Sequence, residues 1–142
     1  MNILVTGSNG QLGSEIKDVA ASYKEFSFFF TSSFDLDICN ASQVDSYIRQ
    51  NQINAVINCA AYTAVDKAED DSENAKKINA QGVLNLVNAL ENVDGKLIHI
   101  STDYVFDGNN FIPYHESDEV KPIGVYGNTK RLGELEVINS GI

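Results

Sequence analysis

The chain is short of cations, short of cysteine and without a long apolar run. Its 10 Lys and Arg stand against 20 Asp and Glu in 142 residues, a formal net charge of −10. Such a surface repels polyanions, which argues against nucleic-acid and anionic-membrane partners. It still admits a small anionic ligand, because helix N-termini and backbone amides hold phosphate inside acidic proteins too. The two cysteines, Cys39 and Cys59, have neither C-x-x-C nor metal-ligand spacing. No disulfide framework or zinc site is expected, and both thiols are expected free in a cytoplasmic setting. The opening MNILVTGSNG has no basic leader, and no stretch reaches the roughly 20 apolar residues that span a bilayer. Repeats and low-complexity tracts are absent as well. With 43% hydrophobic residues, the composition is that of one folded domain.

What is present starts with a strand, a glycine turn and a helix. Asn2 to Thr6 (NILVT) is a short apolar run that reads as a buried strand. Gly7, Gly10 and Gly13 follow in G-x-x-G-x-x-G spacing, not the commoner G-x-G-x-x-G. After a first strand, such glycines allow a tight turn, close approach of backbone to a pyrophosphate, and close helix–strand packing. The pattern predicts a helix over residues 14–23, with Leu12, Ile16, Val19, Ala20 and Tyr23 as its stripe. The N-terminus of that helix would offer free N–H groups and a partial positive charge.

Residues 26–31 (FSFFFT) read as the second strand. A ribose-binding acid is expected about 20 residues past the glycines. Here no acid ends the strand cleanly and no Arg stands by for a 2′-phosphate, so NAD and NADP both stay open. Residues 36–38 would form a very short third strand. A helix over 41–51 carries Val44, Tyr47 and Ile48, with Asn40 or Ser42 as cap. Residues 53–59 (INAVINC) are a further buried strand, running into Ala60-Ala61-Tyr62-Thr63. Small residues at that strand end serve either a ligand lying near the backbone or tight packing. Asp66, Glu69, Asp70, Asp71 and Glu73 cluster at a helix start, where the dipole and solvent account for them without a metal. The longest helix is expected over 75–92, its Gly82 marking close packing. His99, in a strand over 96–101, reads as a hydrogen-bonded core residue.

The most informative stretch runs from Ile98 to Lys130. It holds a buried strand, a hydroxyl-bearing strand end, a long loop, and Tyr-x-x-x-Lys opening a helix. Residues four apart share a helix face, so Tyr126 and Lys130 are expected side by side. A cation within about 4–6 Å favours an ionised phenol. Facing the Thr102 hydroxyl, this pair would be a proton-transfer device suited to carbonyl reduction. The same helix is expected to bury Leu132, Leu135 and Ile138. Alternating strands and helices then predict an α/β fold: a Rossmann-like, doubly wound parallel sheet of order 3-2-1-4-5 with helices on both faces.

Four stretches carry a family resemblance: NILVTGSNGQLG at residues 2–13, NCAAYTAVDKAE at 58–69, ISTDYVFDG at 100–108 and PIGVYGNTKRLGE at 122–134. They are similar to the N-terminal part of the extended short-chain dehydrogenase/reductase superfamily. Within it they resemble the branch that reduces the 4-keto group of a dTDP-sugar with NADPH or NADH. The resemblance implies that Thr102, Tyr126 and Lys130 are catalytic. It implies that Gly7, Gly10, Gln11, Leu12, Gly13, Asp37, Ile38, Ala60, Ala61, Tyr62 and Thr63 bind the cofactor, along with Tyr126 and Lys130. Thr102 and Asp103 would touch substrate, and a homodimer is compatible with the family. Residues 1–142 would be the NAD(P)-binding Rossmann domain of a longer two-domain reductase, ending before the last strands and the substrate domain. Two rivals share these motifs: another nucleotide-sugar reductase or epimerase, and a non-catalytic nucleotide-binding subunit like the regulatory subunit of methionine adenosyltransferase.

Overall fold

The computed structural model describes all 142 residues, Met1–Ile142. Four parallel strands form its sheet: β1 (Asn2–Thr6), β2 (Ser27–Thr31), β3 (Ala55–Asn58) and β4 (Lys96–His99), in the order β2-β1-β3-β4. The order reverses between β1 and β3, and a parallel sheet opens a crevice at the carboxyl ends of such a strand pair. Register places Leu4 beside Phe29 and Val56, and Val56 beside Leu97. Side chains alternate across a strand, so these four point to one face. There Leu4 and Val56 meet α2 (Ala41–Gln50) and α5 (Gly82–Glu91) in a core with Val44, Ile48, Leu86 and Leu90, all buried. Each such aliphatic side chain contributes roughly 1.5–3 kcal/mol by leaving water.

The opposite face carries Ile3, Val5, Phe28, Phe30, Ile57 and Ile98. It is closed over β1, where Val5 is fully buried, and open at β4, where Ile98 is 59% exposed. The remaining helices are α1 (Gln11–Ala20), α3 (Val65–Ala68), α4 (Ser72–Lys76) and α6 (Val125–Ser140), with a 3₁₀ turn at Asp103–Val105. No helix is long and apolar enough to cross a membrane.

Four expectations change. The third strand over 36–38 does not form, because residues 32–40 use their backbone in local turns. Leu36 N–H donates to Ser32 O at 3.0 Å, Asn40 N–H to Asp37 O at 2.9 Å, and Ile38 O accepts from Asn85 Nδ2 at 2.9 Å. Leu36 and Ile38 are buried in the core from within that loop. Helix α1 begins at Gln11 and ends at Ala20, so Leu12 turns out at its first turn, and Val19 and Tyr23 are exposed. The helix expected over 75–92 is interrupted by a π-turn, Lys77–Gln81, between α4 and α5. Finally, α6 does not bury an apolar stripe. Leu132 and Ile138 are exposed, and its buried residues are Gly127, Thr129, Lys130 and Gly133. Small residues let its backbone lie against the π-turn: a Cβ on Gly133 would run into Asn79 O.

Candidate active site

The glycine turn is built by contact between backbones. Gly7 has φ +64°, and a Cβ there would sit 2.7 Å from Ala60 N. A Cβ on Gly13 would sit 2.5 Å from Gly7 O, so α1 packs directly on the turn. Gly10 differs: it is exposed, has φ −80° and ψ 173°, and its added Cβ would meet only Gly7 O at 3.3 Å. It is the N-cap of α1 and makes no side-chain cap, so the first N–H groups of the helix have no partner within it.

Above the β1 and β3 ends lies a cleft of about 880 Å³. Gly7, Gly10, Gln11, Leu12, Gly13, Asp37, Ile38, Ala60, Ala61 and Thr63, which the family resemblance groups as cofactor-binding, all line it. Ser32, Ser33, Phe34, Cys39, Cys59 and Ile78 line it as well, and no sequence signal singled these out for the cleft. Its charged side chains are Glu15 and Asp37, with no Lys or Arg. An anionic group here would therefore be held by backbone N–H groups and the α1 dipole. Asp35, the acid nearest the β2 end, is turned back. Its Oδ2 accepts from Ser32 N–H at 2.9 Å and Ser32 Oγ–H at 2.6 Å, and these bonds hold its carboxyl below the usual range.

Tyr62 is not among the cleft residues. Its N–H donates to Asn79 Oδ1 at 2.8 Å, its O accepts from Asn79 Nδ2 at 3.2 Å, and its hydroxyl donates to Asp71 Oδ2 at 3.1 Å. Asn79, 1% exposed in the π-turn, also donates to Thr129 Oγ1 at 3.1 Å, and that hydroxyl donates to Tyr126 O at 2.9 Å. One buried amide thus ties the Ala60–Thr63 loop to the helix bearing Tyr126. π-Turns often accompany functional sites, but nothing local in the sequence marks this one. The acidic cluster is also only partly solvent-facing, since Glu69 Oε1 accepts from Val125 N–H at 2.8 Å and caps α6 from a distance.

Beyond β4, Thr102 opens the 3₁₀ turn. Its hydroxyl donates to Asp103 Oδ1 at 3.2 Å and accepts from Tyr104 N–H at 3.3 Å. The Tyr104 ring meets the Tyr126 ring edge-on at 5.5 Å. Tyr126 is half-buried, whereas Lys130 turns inward and is 2% exposed. Lys130 Nζ donates to Ile100 O at 2.6 Å and lies 3.4 Å from His99 Nε2. Lys130 is held at the end of β4, while the Tyr126 ring lies against Tyr104, and no hydrogen bond joins the two. Burial, opposed by the Glu134 charge, pushes the lysine down to about 8. Burial, and then the Lys130 charge, push His99 down to about 4.

A parallel sheet that reverses order beside a glycine turn, with Tyr-x-x-x-Lys on the helix after β4, defines a Rossmann-like protein of the short-chain dehydrogenase type. The chain belongs to the family described as the RmlD substrate binding domain, whose model matches residues 1–141. Over 137 residues it is 44% identical to the dTDP-4-dehydrorhamnose reductase of Mycolicibacterium smegmatis, covering 96% of this chain and 41% of that protein. The solved dTDP-4-dehydrorhamnose reductase of Clostridium acetobutylicum superposes with a TM-score of 0.94 at 47% identity, over 98% of this chain and 49% of that one. The Bacillus anthracis reductase, solved in complex with NADP, superposes with a TM-score of 0.93 at 38% identity, over 97% and 49%. The chain thus spans less than half the length of these relatives.

Proposed function

We propose that residues 1–142 are the NAD(P)-binding half of a two-domain reductase that converts dTDP-4-dehydro-L-rhamnose to dTDP-L-rhamnose with NADPH or NADH. The observation that carries this reading is the cleft at the β1/β3 reversal, floored by Gly7, Gly10 and Gly13 and free of cationic side chains. Such a floor suits a pyrophosphate held by backbone. Two named relatives above 40% identity, each a dTDP-4-dehydrorhamnose reductase, and a third solved with NADP support the substrate and the cofactor.

When bound, the reduced nicotinamide supplies the hydride. The chain's own residues do the rest. Backbone N–H groups of Gln11 and Leu12 hold the phosphates, while Ala60, Ala61 and Thr63 flank the ring-bearing half. Thr102 Oγ–H hydrogen-bonds the carbonyl oxygen as it gains charge, and Tyr126 O–H gives it a proton. Lys130 is assigned to the cofactor ribose and to the charge beside Tyr126, tasks that require its amine to leave Ile100 O and His99.

Two measurements test this. Fluorescence titration of the chain with NADPH and NADH should give saturable binding. The full-length protein should oxidise NADPH in the presence of dTDP-4-dehydro-L-rhamnose and not of UDP- or GDP-keto-sugars. Turnover of a UDP- or GDP-sugar instead would move the assignment to another nucleotide-sugar enzyme. Binding with no turnover of any sugar would favour a regulatory subunit.

A further inference from the structure

Helix α6 carries Tyr126 in its first turn but has no cap of its own. Its N-cap is Gly124, which has no side chain to offer, and Val125 N–H donates at 2.8 Å to Glu69 Oε1, 56 residues earlier in the chain. A Cβ on Gly124 would lie 3.1 Å from that same oxygen, so the glycine leaves room for the carboxylate. Glu69 is the C-cap of α3, and α3 starts at Val65, just after the cleft residues Ala60, Ala61 and Thr63. The other side of the turn is held by backbone. A Cβ on Gly127 would run into Tyr104 O, and Tyr104 lies in the 3₁₀ turn that Thr102 caps. Tyr126 thus stands between two anchors, the 3₁₀ turn on the side of Thr102 and Glu69 on the side of the cleft. An N–H in a first turn has no partner within its helix, so whatever supplies the acceptor helps to set where that end lies. A Ser, Thr, Asp or Asn at the N-cap would satisfy it locally. An acceptor on α3 instead makes the first turn of α6 follow the segment that lines the cleft.

We propose that Glu69 is a positioning residue: by tying Val125 to the end of α3, it sets Tyr126 at the distance from the cleft at which its hydroxyl meets the reacting oxygen. The functional half of this rests on the reductase reading. Proton transfer is steep in geometry, and a misplacement of about 1 Å can cost on the order of 10²-fold in rate. The next turn of α6 is anchored independently of Glu69. Thr129 Oγ1 accepts from Asn79 Nδ2 at 3.1 Å, and Lys130 Nζ donates to Ile100 O at 2.6 Å. Releasing Glu69 therefore loosens Tyr126 and leaves Lys130 where it is. A loss of rate without a loss of cofactor affinity is the signature of that arrangement.

The test uses two mild substitutions at this exposed position. Glu69→Gln keeps a carbonyl oxygen at the same reach. Glu69→Asp keeps the charge and withdraws the oxygen by one C–C bond, about 1.5 Å. In the chain itself, amide exchange followed by nuclear magnetic resonance should find Val125 N–H protected in the wild type and in Glu69→Gln, and fast in Glu69→Asp. In the full-length protein Glu69→Asp should lower kcat about 10–100-fold with NADPH affinity unchanged, while Glu69→Gln keeps most of the activity. In a Tyr126→Phe background Glu69→Asp should cost little more, because the hydroxyl it positions is gone. A merely structural cap would lower the melting temperature and leave kcat, measured well below it, as it was. Fast exchange of Val125 in the wild type overturns the proposal, as does an unchanged kcat in Glu69→Asp or an undiminished loss in the Tyr126→Phe background. A Glu69→Gln protein as slow as Glu69→Asp overturns it too, since charge and not reach would then be what Glu69 supplies. No turnover of any sugar by the wild type, with Val125 protected, removes the reductase reading and the role at Tyr126 with it, and leaves the tie between α3 and α6 standing.

Discussion

The two ends of the sheet's carboxyl edge are made of different material. At β1 the cleft is floored by backbone: Gly7, Gly10 and Gly13 keep side chains away, and the charged lining is acidic. At β4 the site is built from buried polar side chains, with Asn58, Asn79 and Lys130 each 2% exposed or less. Backbone amides cost little to leave facing water, so the first end can stay open. Buried amides and amines cost about 1–3 kcal/mol each when unpaired, so the second end must be satisfied group by group. The difference predicts that damage at the glycine end separates cleanly into folding and binding, while damage at the α6 end mixes them.

The largest effect should come from Gly7→Val. It combines a left-handed φ with a Cβ 2.7 Å from Ala60 N. Strain and overpacking together should cost about 2–6 kcal/mol, read as a lowered urea midpoint. Gly10→Val, at an ordinary φ with one tight contact, should keep nearly native stability and lose NAD(P)H affinity. A stable Gly7→Val protein would refute the backbone contact. Unchanged NAD(P)H affinity in folded Gly10→Val would remove the cleft from the cofactor assignment.

At the other end, Tyr126→Phe in the full-length protein keeps the ring and removes the hydroxyl proposed as proton donor. A positioned acid contributes about 10²–10⁴-fold, so kcat should fall by that factor, equivalent to about 2.7–5.5 kcal/mol. Cofactor affinity should hardly change. Lys130→Met should lower both kcat and cofactor affinity, because two tasks are assigned to it. Near-normal kcat in Tyr126→Phe, with chemistry shown to be rate-limiting, would rule Tyr126 out as the acid.

Asn79→Ala comes next. It strands Tyr62 N–H, which donates to the Asn79 amide, and removes the donor to Thr129 Oγ1. Loss of about 1–3 kcal/mol is expected, together with a weaker link between the Ala60–Thr63 loop and α6. An unchanged melting temperature would mean that this amide does not join the two segments. Asn79 also marks the limit of what could be read beforehand. Glycine spacing and apolar runs are local patterns, so the strand–turn–helix start, the four strands that formed and the parallel order were legible. The glycine turn and Asp37, Ile38, Ala60, Ala61 and Thr63 were grouped by motif resemblance, whereas Ser32, Ser33, Phe34, Cys39 and Cys59, which line the same cleft, were not. Hydrogen-bond partners 17 to 50 residues apart, such as Asn79 with Tyr62 and Thr129, leave no local trace. The α6 stripe was misread for a related reason. Periodicity marks Leu132, Leu135 and Ile138, but Gly133, against the π-turn, and Gly127, against the Tyr104 backbone of the 3₁₀ turn, decide which face of α6 is buried.

The last effect concerns the thiols, and it probes the acidic lining directly. Cys39 and Cys59 are free and both line the cleft. Burial, and then the Asp37 charge, push Cys39 up to about 11, and burial raises Cys59. Alkylation needs the thiolate. At pH 8 roughly one Cys39 in a thousand would be ionised, against about one in ten for a thiol at the ordinary value of 9.0. Native Cys39 should therefore react with iodoacetamide on the order of a hundredfold slower than in denaturant, and its rate should keep climbing through pH 10. Between the ordinary thiol value of 9.0 and about 11 the unfolded chain releases this proton first, so Cys39 lowers stability as pH rises through that window. A bound dinucleotide should slow both thiols further by covering the cleft they line. The Lys77 charge acts on Cys39 against burial and Asp37. Native reactivity equal to that of the denatured chain at pH 8 would mean that this cation outweighs them, and the contrast between the two ends of the edge would fail at the point where it is sharpest.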